Sequence, residues 1–322
     1  VTVFEGAKED VSVGVYSSHQ PEGRYDFAYR TPEFFRGTSY MILGGRLVKL
    51  DIPDDADMQG VFKEHLLVSL RSDWEVGGRT YPQDALLAID LNDFLQGGRD
   101  FEVLFEPSPR VSLGATRSTL NHLLLSTLDN VSGRLYRLTP TDDGWVREEI
   151  ALPGLGTVGI GSTSDVDDSF FFTYTDFLTP SSLYLVRPGE DPVQVKTTPE
   201  HFDGTGMTVE QLEATSADGE KIPYFVFKPQ GFQADGQNPT LLYGYGGFEV
   251  SMRPNYSGTT GAGWVERGGV YVLANIRGGG EFGPRWHQAA LRENRQRAFD
   301  DFIAVAEDLV ARNITTPEHL GI

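Results

Sequence analysis

The sequence contains no cysteine among its 322 residues. Disulfides, thiolate nucleophiles and cysteine-based zinc sites are therefore excluded. Histidine is sparse and scattered, at His19, His65, His122, His201, His287 and His319, with no pair four residues apart to hold a metal. No metal or cofactor is called for. Positive charge is also scarce: 27 Lys and Arg stand against 46 Asp and Glu, a net charge of −19. A chain of that sign is repelled by phosphate backbones and anionic lipid, so neither nucleic acid nor a membrane is an expected partner. No apolar run approaches the about 20 residues that span a bilayer. Nor does a leader peptide begin at Val1. "VTVFEGAKED" reads like the inside of a strand, which predicts a truncated N-terminus.

What is present fits a globular chain of two domains, since 39% of the residues are hydrophobic and 322 exceeds one ordinary core. Roughly the first 200 residues hold short apolar runs punctuated by Gly, Pro, Asp and Ser, without a long helical period. An internal repeat runs through them. "GRLVKLD", "DALLAID", "GRLYRLT" and "SSLYLVR" align on Leu47, Leu86, Leu135 and Leu183, at intervals of 39, 49 and 48 residues. A second strand-like run precedes the later units: "HLLVS" from His65, "HLLLS" from His122 and "SFFFT" from Ser169. Strand-rich repeats of this length indicate β-propeller blades, about four of them, the first beginning mid-pattern. An irregular β-sandwich is the alternative.

After "KTTPEHFDGTG" the rhythm changes. A hairpin is predicted, with one strand running to Ala214, a turn at Asp218-Gly219 and a return strand from Ile222 to Phe227. "PTLLYGYGG" and "GGVYVLANIRGGG" read as short buried strands running into glycine loops. "RAFDDFIAVAEDLVARN" reads as an amphipathic helix whose apolar face is Phe299, Phe302, Ile303, Ala306, Leu309 and Val310. "TTPEHLGI" starts a further strand. This order predicts an open α/β domain.

Two glycine motifs invite chemistry. "GGGEFG", Gly278 to Gly283, matches a dinucleotide fingerprint, with Asp300 22 residues beyond Gly278. The match fails on context, because the acidic residue belongs at the end of the next strand and Asp300 falls in a helix. "YGYGGF" carries the stronger reading. A donor at a strand-to-loop exit stabilises the oxyanion formed when a carbonyl is attacked. Gly244, Gly246 and Gly247 let the backbone take positive φ and approach a substrate. A tight turn with packed tyrosines explains the same letters equally well. No G-x-S-x-G occurs to supply a nucleophile.

"LLYGYGGFEVSMRPNYS", "VLANIRGGGEFGPRWH" and "AFDDFIAVAEDLV" together resemble the prolyl oligopeptidase family of serine peptidases, in the branch that caps an α/β-hydrolase domain with a seven-bladed propeller. "FFFTYTDFLTPSSLYLV" is similar to that family's last blade, and the likeness extends from about Tyr40 to Ile322. The "ANIRGGGEFG" wording sits closer to prolyl oligopeptidase proper than to oligopeptidase B. The resemblance implies a partial propeller over 1–203, about four blades of a seven-bladed ring, followed over 204–322 by the N-terminal part of an α/β-hydrolase domain. It also implies that the Ser, Asp and His of the triad, whose serine elbow would follow Ile322, lie outside this sequence. The oxyanion-hole tyrosine carries over onto Tyr245, and the phenylalanine lining the proline pocket onto Phe248. Gly246 and Gly247 are expected beside the scissile peptide, the Gly278–Gly280 run as a structural turn near the propeller interface. Tyr243 is expected to pack on the opposite side of its strand.

The implied whole is a cytoplasmic oligopeptidase, with the periplasm as the alternative compartment. Its substrate would be a short proline-containing peptide, and its fold would need the remaining segments of the enzyme. The 322-residue piece by itself is expected to be inactive. An oligopeptidase B-like or esterase-like member of the fold, or a propeller interaction module with a vestigial hydrolase part, are the competing functions.

Overall fold

The computed structural model describes residues 2–322. Four antiparallel four-stranded sheets follow one another along the chain. The first is formed by Ser12–Gln20, Gly23–Glu33, Arg36–Leu43 and Arg46–Lys49. The second contains Asp57–Phe62, His65–Ser69, Leu86–Asp90 and Glu102–Phe105, with a small hairpin (Trp74–Val76 and Arg79–Tyr81) inserted before its third strand. Val111–Ser118, Leu123–Asp129, Ser132–Thr141 and Gly144–Glu149 make the third. The fourth is Thr157–Thr163, Phe170–Thr175, Ser182–Val186 and Val193–Thr197.

Apolar cores lie between successive sheets. Phe27 and Met41 of the first meet Leu66, Val68 and Leu87 of the second. Leu67 and Leu86 on the other face of that second sheet meet Leu123 and Leu125 of the third. Leu124 and Leu135 in turn meet Val158, Phe170 and Phe172 of the fourth. Alternate residues of one strand thus feed two different cores, which is why "HLLVS" and "HLLLS" are apolar without a break. Among the described residues no such core joins the fourth sheet to the first. The result is a partial β-propeller of four blades.

Two repeat-level expectations change. Leu86, Leu135 and Leu183 all sit on third strands, and the "HLLVS", "HLLLS" and "SFFFT" runs on second strands. Leu47 lies on a fourth strand instead, which explains the short 39-residue interval to Leu86. The first sheet also has its full four strands and does not begin mid-pattern. Its first strand starts at Ser12, so the described part of "VTVFEGAKED" is not a strand. Asp10 there accepts from the Arg30 guanidinium at 2.7 Å and from the Ala7 amide at 2.6 Å, closing a turn.

The hydrolase part is a five-stranded sheet in the spatial order Thr208–Thr215, Lys221–Lys228, Val270–Ala274, Thr240–Gly244, Leu320–Gly321. The first three neighbours run antiparallel and the last pairings are parallel. This sheet is the start of an α/β-hydrolase arrangement, with the helix Gln296–Ala311 packed on it. That helix is the one expected, but turned. Ala298, Asp301, Ala304, Val305 and Leu309 face the core, while Phe299 and Ile303 are 54% and 52% exposed. Counting apolar letters missed the buried stripe because a carboxylate stands in its middle. Asp301 is buried there with its own cation, Arg277.

Candidate active site

The strand Thr240–Gly244 delivers the glycine loop. It is paired in parallel on both sides, so its carboxyl end opens at the edge where α/β folds place their ligands. Tyr245 follows directly and is 42% exposed. Gly246 takes φ 57°, and a Cβ on it would meet Ile276 at 2.6 Å and the Arg277 carbonyl at 2.8 Å. Only glycine fits there, on both backbone and space grounds. Gly247 lies beside the Tyr245 ring, 3.6 Å from Cε1 to the position a Cβ would hold.

Tyr243 does not pack as expected. Residues two apart share a face of a strand, and Leu241, Tyr243 and Tyr245 are all exposed while Leu242 is buried.

Beyond Gly247 the chain makes two consecutive left-handed residues, Phe248 at φ 50° and Glu249 at φ 58°. Such backbone persists only where surroundings hold it. Backbone and side-chain anchors do so. The Val250 amide donates to Gly247 O at 3.0 Å and the Glu249 amide to Gly278 O at 3.2 Å. Arg295 donates to the Gly246 carbonyl. The carboxylate of Glu249 pairs with Arg71 of the propeller, and His287 Nδ1 lies 3.5 Å from it. Phe248 itself projects, 66% exposed.

The second glycine run is the platform for the first. A Cβ on Gly278 would collide with the Gly246 carbonyl, and one on Gly280 with the Glu249 carbonyl. The two loops stack backbone on backbone, leaving no room for side chains between them. Arg277 fixes this platform from below: its guanidinium reaches Asp301 at 2.6 Å and Asp218 at 2.5 Å, while its amide donates to Asp301 at 2.9 Å. Burial works to lower the Arg277 pKa, but the bonds to Asp301 and Asp218 outweigh it and the net shift is upward.

Between propeller and hydrolase parts lies a cavity of about 460 Å³. Phe35, Arg71 and Asp84 line it from the propeller side, Phe248, Glu249 and Arg253 from the other. Its charged groups are perturbed. Burial pushes the Asp84 carboxyl up to about 7, partly offset by a hydrogen bond from the Leu113 amide. Burial also depresses Arg253. Behind the cavity Glu281 is fully buried, and burial raises it to about 7 despite bonds from the Met252 amide and Asn275. Tyr245 is not one of the cavity's walls; it stands on the exposed side of the same loop.

The structure therefore brings Tyr245, Gly246, Gly247 and Phe248 onto one short, rigidly seated bend. Phe34, Phe35, Arg71, Asp84 and His287 surround that bend without any signal in the sequence. Each is more than 30 residues away along the chain, and only folding makes them neighbours.

Comparison with known proteins agrees with this arrangement. The sequence model described as "Prolyl oligopeptidase, N-terminal beta-propeller domain" matches residues 76–198, and that of the "Prolyl oligopeptidase family" matches residues 254–322. An "uncharacterized peptidase y4nA" of Sinorhizobium fredii is 40% identical over 332 residues, covering 100% of this chain and 46% of the relative. A prolyl endopeptidase of Elizabethkingia miricola is 37% identical over 180 residues, 56% of this chain and 25% of its own length. The solved structure of a post-proline cleaving enzyme from Rickettsia typhi superposes with a TM-score of 0.92 at 34% identity, over 99% of this chain and 48% of that one. The chain thus spans less than half the length of these relatives. With a partial propeller, the opening strands of a hydrolase sheet and both sequence models matched in the corresponding order, the chain belongs to the prolyl oligopeptidase family of peptidases.

Proposed function

We propose that residues 2–322 form the propeller-to-hydrolase portion of a serine oligopeptidase that cleaves short peptides after proline through an acyl-enzyme. In this reading a serine outside the sequence attacks the scissile carbonyl and a histidine outside it carries the proton. Tyr245 and a backbone amide donate to the oxyanion. Phe248 lies against the proline ring, and Gly246 and Gly247 keep the approach clear of side chains. The remaining segments of the enzyme complete the fold, and the divide between the two parts falls at 203/204. The last propeller strand ends at Thr197 and the first hydrolase strand begins at Thr208, which supports a divide in that linker.

One observation carries the reading. A tyrosine and a phenylalanine three residues apart are both left exposed on a bend whose backbone is otherwise strained and clamped. Strained backbone that its surroundings hold in place clusters at ligand sites, which favours a role for the two rings in binding. The names of the relatives, prolyl endopeptidase and post-proline cleaving enzyme, support proline as the residue before the cut.

The test is a panel of chromogenic peptides, differing only in the residue before the scissile bond, given to the full-length protein. Cleavage of the proline peptide at least 100-fold faster than its lysine counterpart is expected. Preference for lysine or arginine would replace this function with an oligopeptidase B-like one. No cleavage of any peptide would leave the interaction module.

A further inference from the structure

A two-residue loop joins Glu33 to Arg36 in the first blade. Loops of that length favour Asn, Asp and Gly, because their central residues take positive φ. Here the loop is Phe34-Phe35, and Phe35 is held at φ 61°. Local preference would not build this turn from aromatics; tertiary contacts do. The Arg71 guanidinium lies 4.0 Å above the Phe35 ring, and the His287 ring stands edge-on at 5.1 Å. Arg71 is paired with Glu249, so the hairpin tip is fastened to the loop that bears Phe248.

Phe35 is the anchor, and its neighbour is left projecting. Phe34 is 68% exposed, and its ring centroid lies 6.3 Å from that of Phe248 at an interplanar angle of 68°. Two strained turns from opposite domains therefore each present a phenylalanine at the same spot, and both rings remain largely in water. Neither ring gains much from burial as it stands. Rings already in edge contact leave no slot between them. They form a corner, which an apolar group can cover from outside. Of the charges near that corner, Arg71 and Glu249 are paired with each other, while Asp84 and Arg253 line the same cavity as Phe248.

We infer that Phe34 is a specificity-determining residue of the peptidase site, contributed by the propeller, and that with Phe248 it receives the compact apolar ring of the residue before the scissile bond. This rests on the proposed function, because it takes Phe248 to touch that residue.

The test measures kcat and KM of the full-length protein on proline, alanine and lysine peptides for Phe34→Ala, Phe34→Leu, Phe248→Ala and the Phe34→Ala/Phe248→Ala double variant. Phe34→Ala is expected to lower kcat/KM for the proline peptide about threefold to tenfold, mainly through KM, and to change the alanine peptide less than twofold. Phe34→Leu should restore at least half of the loss. In the Phe248→Ala background, Phe34→Ala should have little further effect. An exposed side chain makes misfolding of the Phe34 variants detectable as a fall in Tm, which is expected to be small. A loss after Phe248→Ala with none after Phe34→Ala overturns this inference alone, as does an equal loss on all three peptides or full additivity. No effect of Phe248→Ala, or no peptide cleavage by the wild type, overturns the proposed function and this inference with it.

Discussion

Asp301 accepts from both the guanidinium and the backbone amide of Arg277, and the two side chains are almost wholly removed from solvent. The helix Gln296–Ala311 is thereby tied to the glycine platform, and through it to the bend carrying Tyr245 and Phe248. Asp301→Ala leaves a buried guanidinium whose one remaining carboxylate is the half-exposed Asp218, with the Ser216 hydroxyl at 3.3 Å. Destabilisation of the hydrolase part by about 3–5 kcal/mol is expected, read as a lowered midpoint of denaturant unfolding. A change below 1 kcal/mol would show that the pair is not what seats the platform.

Tyr245→Phe removes one oxygen and leaves the ring beside Gly247. If that oxygen meets the oxyanion, kcat of the full-length enzyme falls by about 10²–10³ with little change in substrate affinity. Steady-state kinetics decide it, and a fall of less than threefold removes Tyr245 from the chemistry.

Gly278→Ala tests whether the second glycine run supports the first. Its φ of 96° disfavours a side chain, and the new methyl would collide with the Gly246 carbonyl. The bend must move, and misplacement of about 1 Å near a reacting centre costs on the order of 100-fold in rate. A fall in kcat/KM of that order is expected together with a lower Tm. Unchanged kinetics would separate the two loops functionally.

Glu281 makes stability depend on pH. Its ordinary value is 4.5, and burial raises it to about 7 in the folded protein. Between those values the folded state holds a proton that the unfolded state has released, so stability falls as pH rises through this window. The contribution is complete below pH 4.5 and lost above about 7. Glu281→Gln, which cannot ionise, should therefore gain on the wild type as pH rises from 4.5 to 8, by about 3 kcal/mol in all. Paired unfolding curves across that range measure it. A difference independent of pH would show that Glu281 is already ionised at pH 5.

The isolated 322-residue polypeptide should self-associate and lack peptidase activity. The strand Ser12–Gln20 is at a sheet edge with Val13, Val15 and Tyr16 exposed, and Phe299 and Ile303 stand exposed on the last helix. Unpaired edges and apolar faces of this kind favour association. Size-exclusion chromatography with light scattering checks it; a monomer that melts in one cooperative step would contradict it.

Much of this fold was legible because its determinants are local. A hairpin with Asp218-Gly219 at its turn, apolar runs that feed two cores, and a G-Y-G-G bend after a buried strand all follow from neighbours in sequence. The repeat was legible from Leu86, Leu135 and Leu183, yet Leu47 misled because third and fourth strands of a blade look alike out of context. The helix misled for a related reason. An apolar count treats Asp301 as outward, and nothing nearby in sequence reveals the guanidinium that lets it face inward.

By itself, the sequence determined the two kinds of architecture and the bare bend that presents Tyr245 and Phe248, since strand period, turn chemistry and glycine's missing Cβ act over a few residues. Tertiary structure alone decided that Gly278 and Gly280 lie against Gly246 and Glu249, that Arg71 and Glu249 join propeller to hydrolase, and that Phe34 comes to rest beside Phe248. Those contacts span up to more than 200 residues, and their energies come from burial and charge pairing, which exist only once distant segments have been brought together.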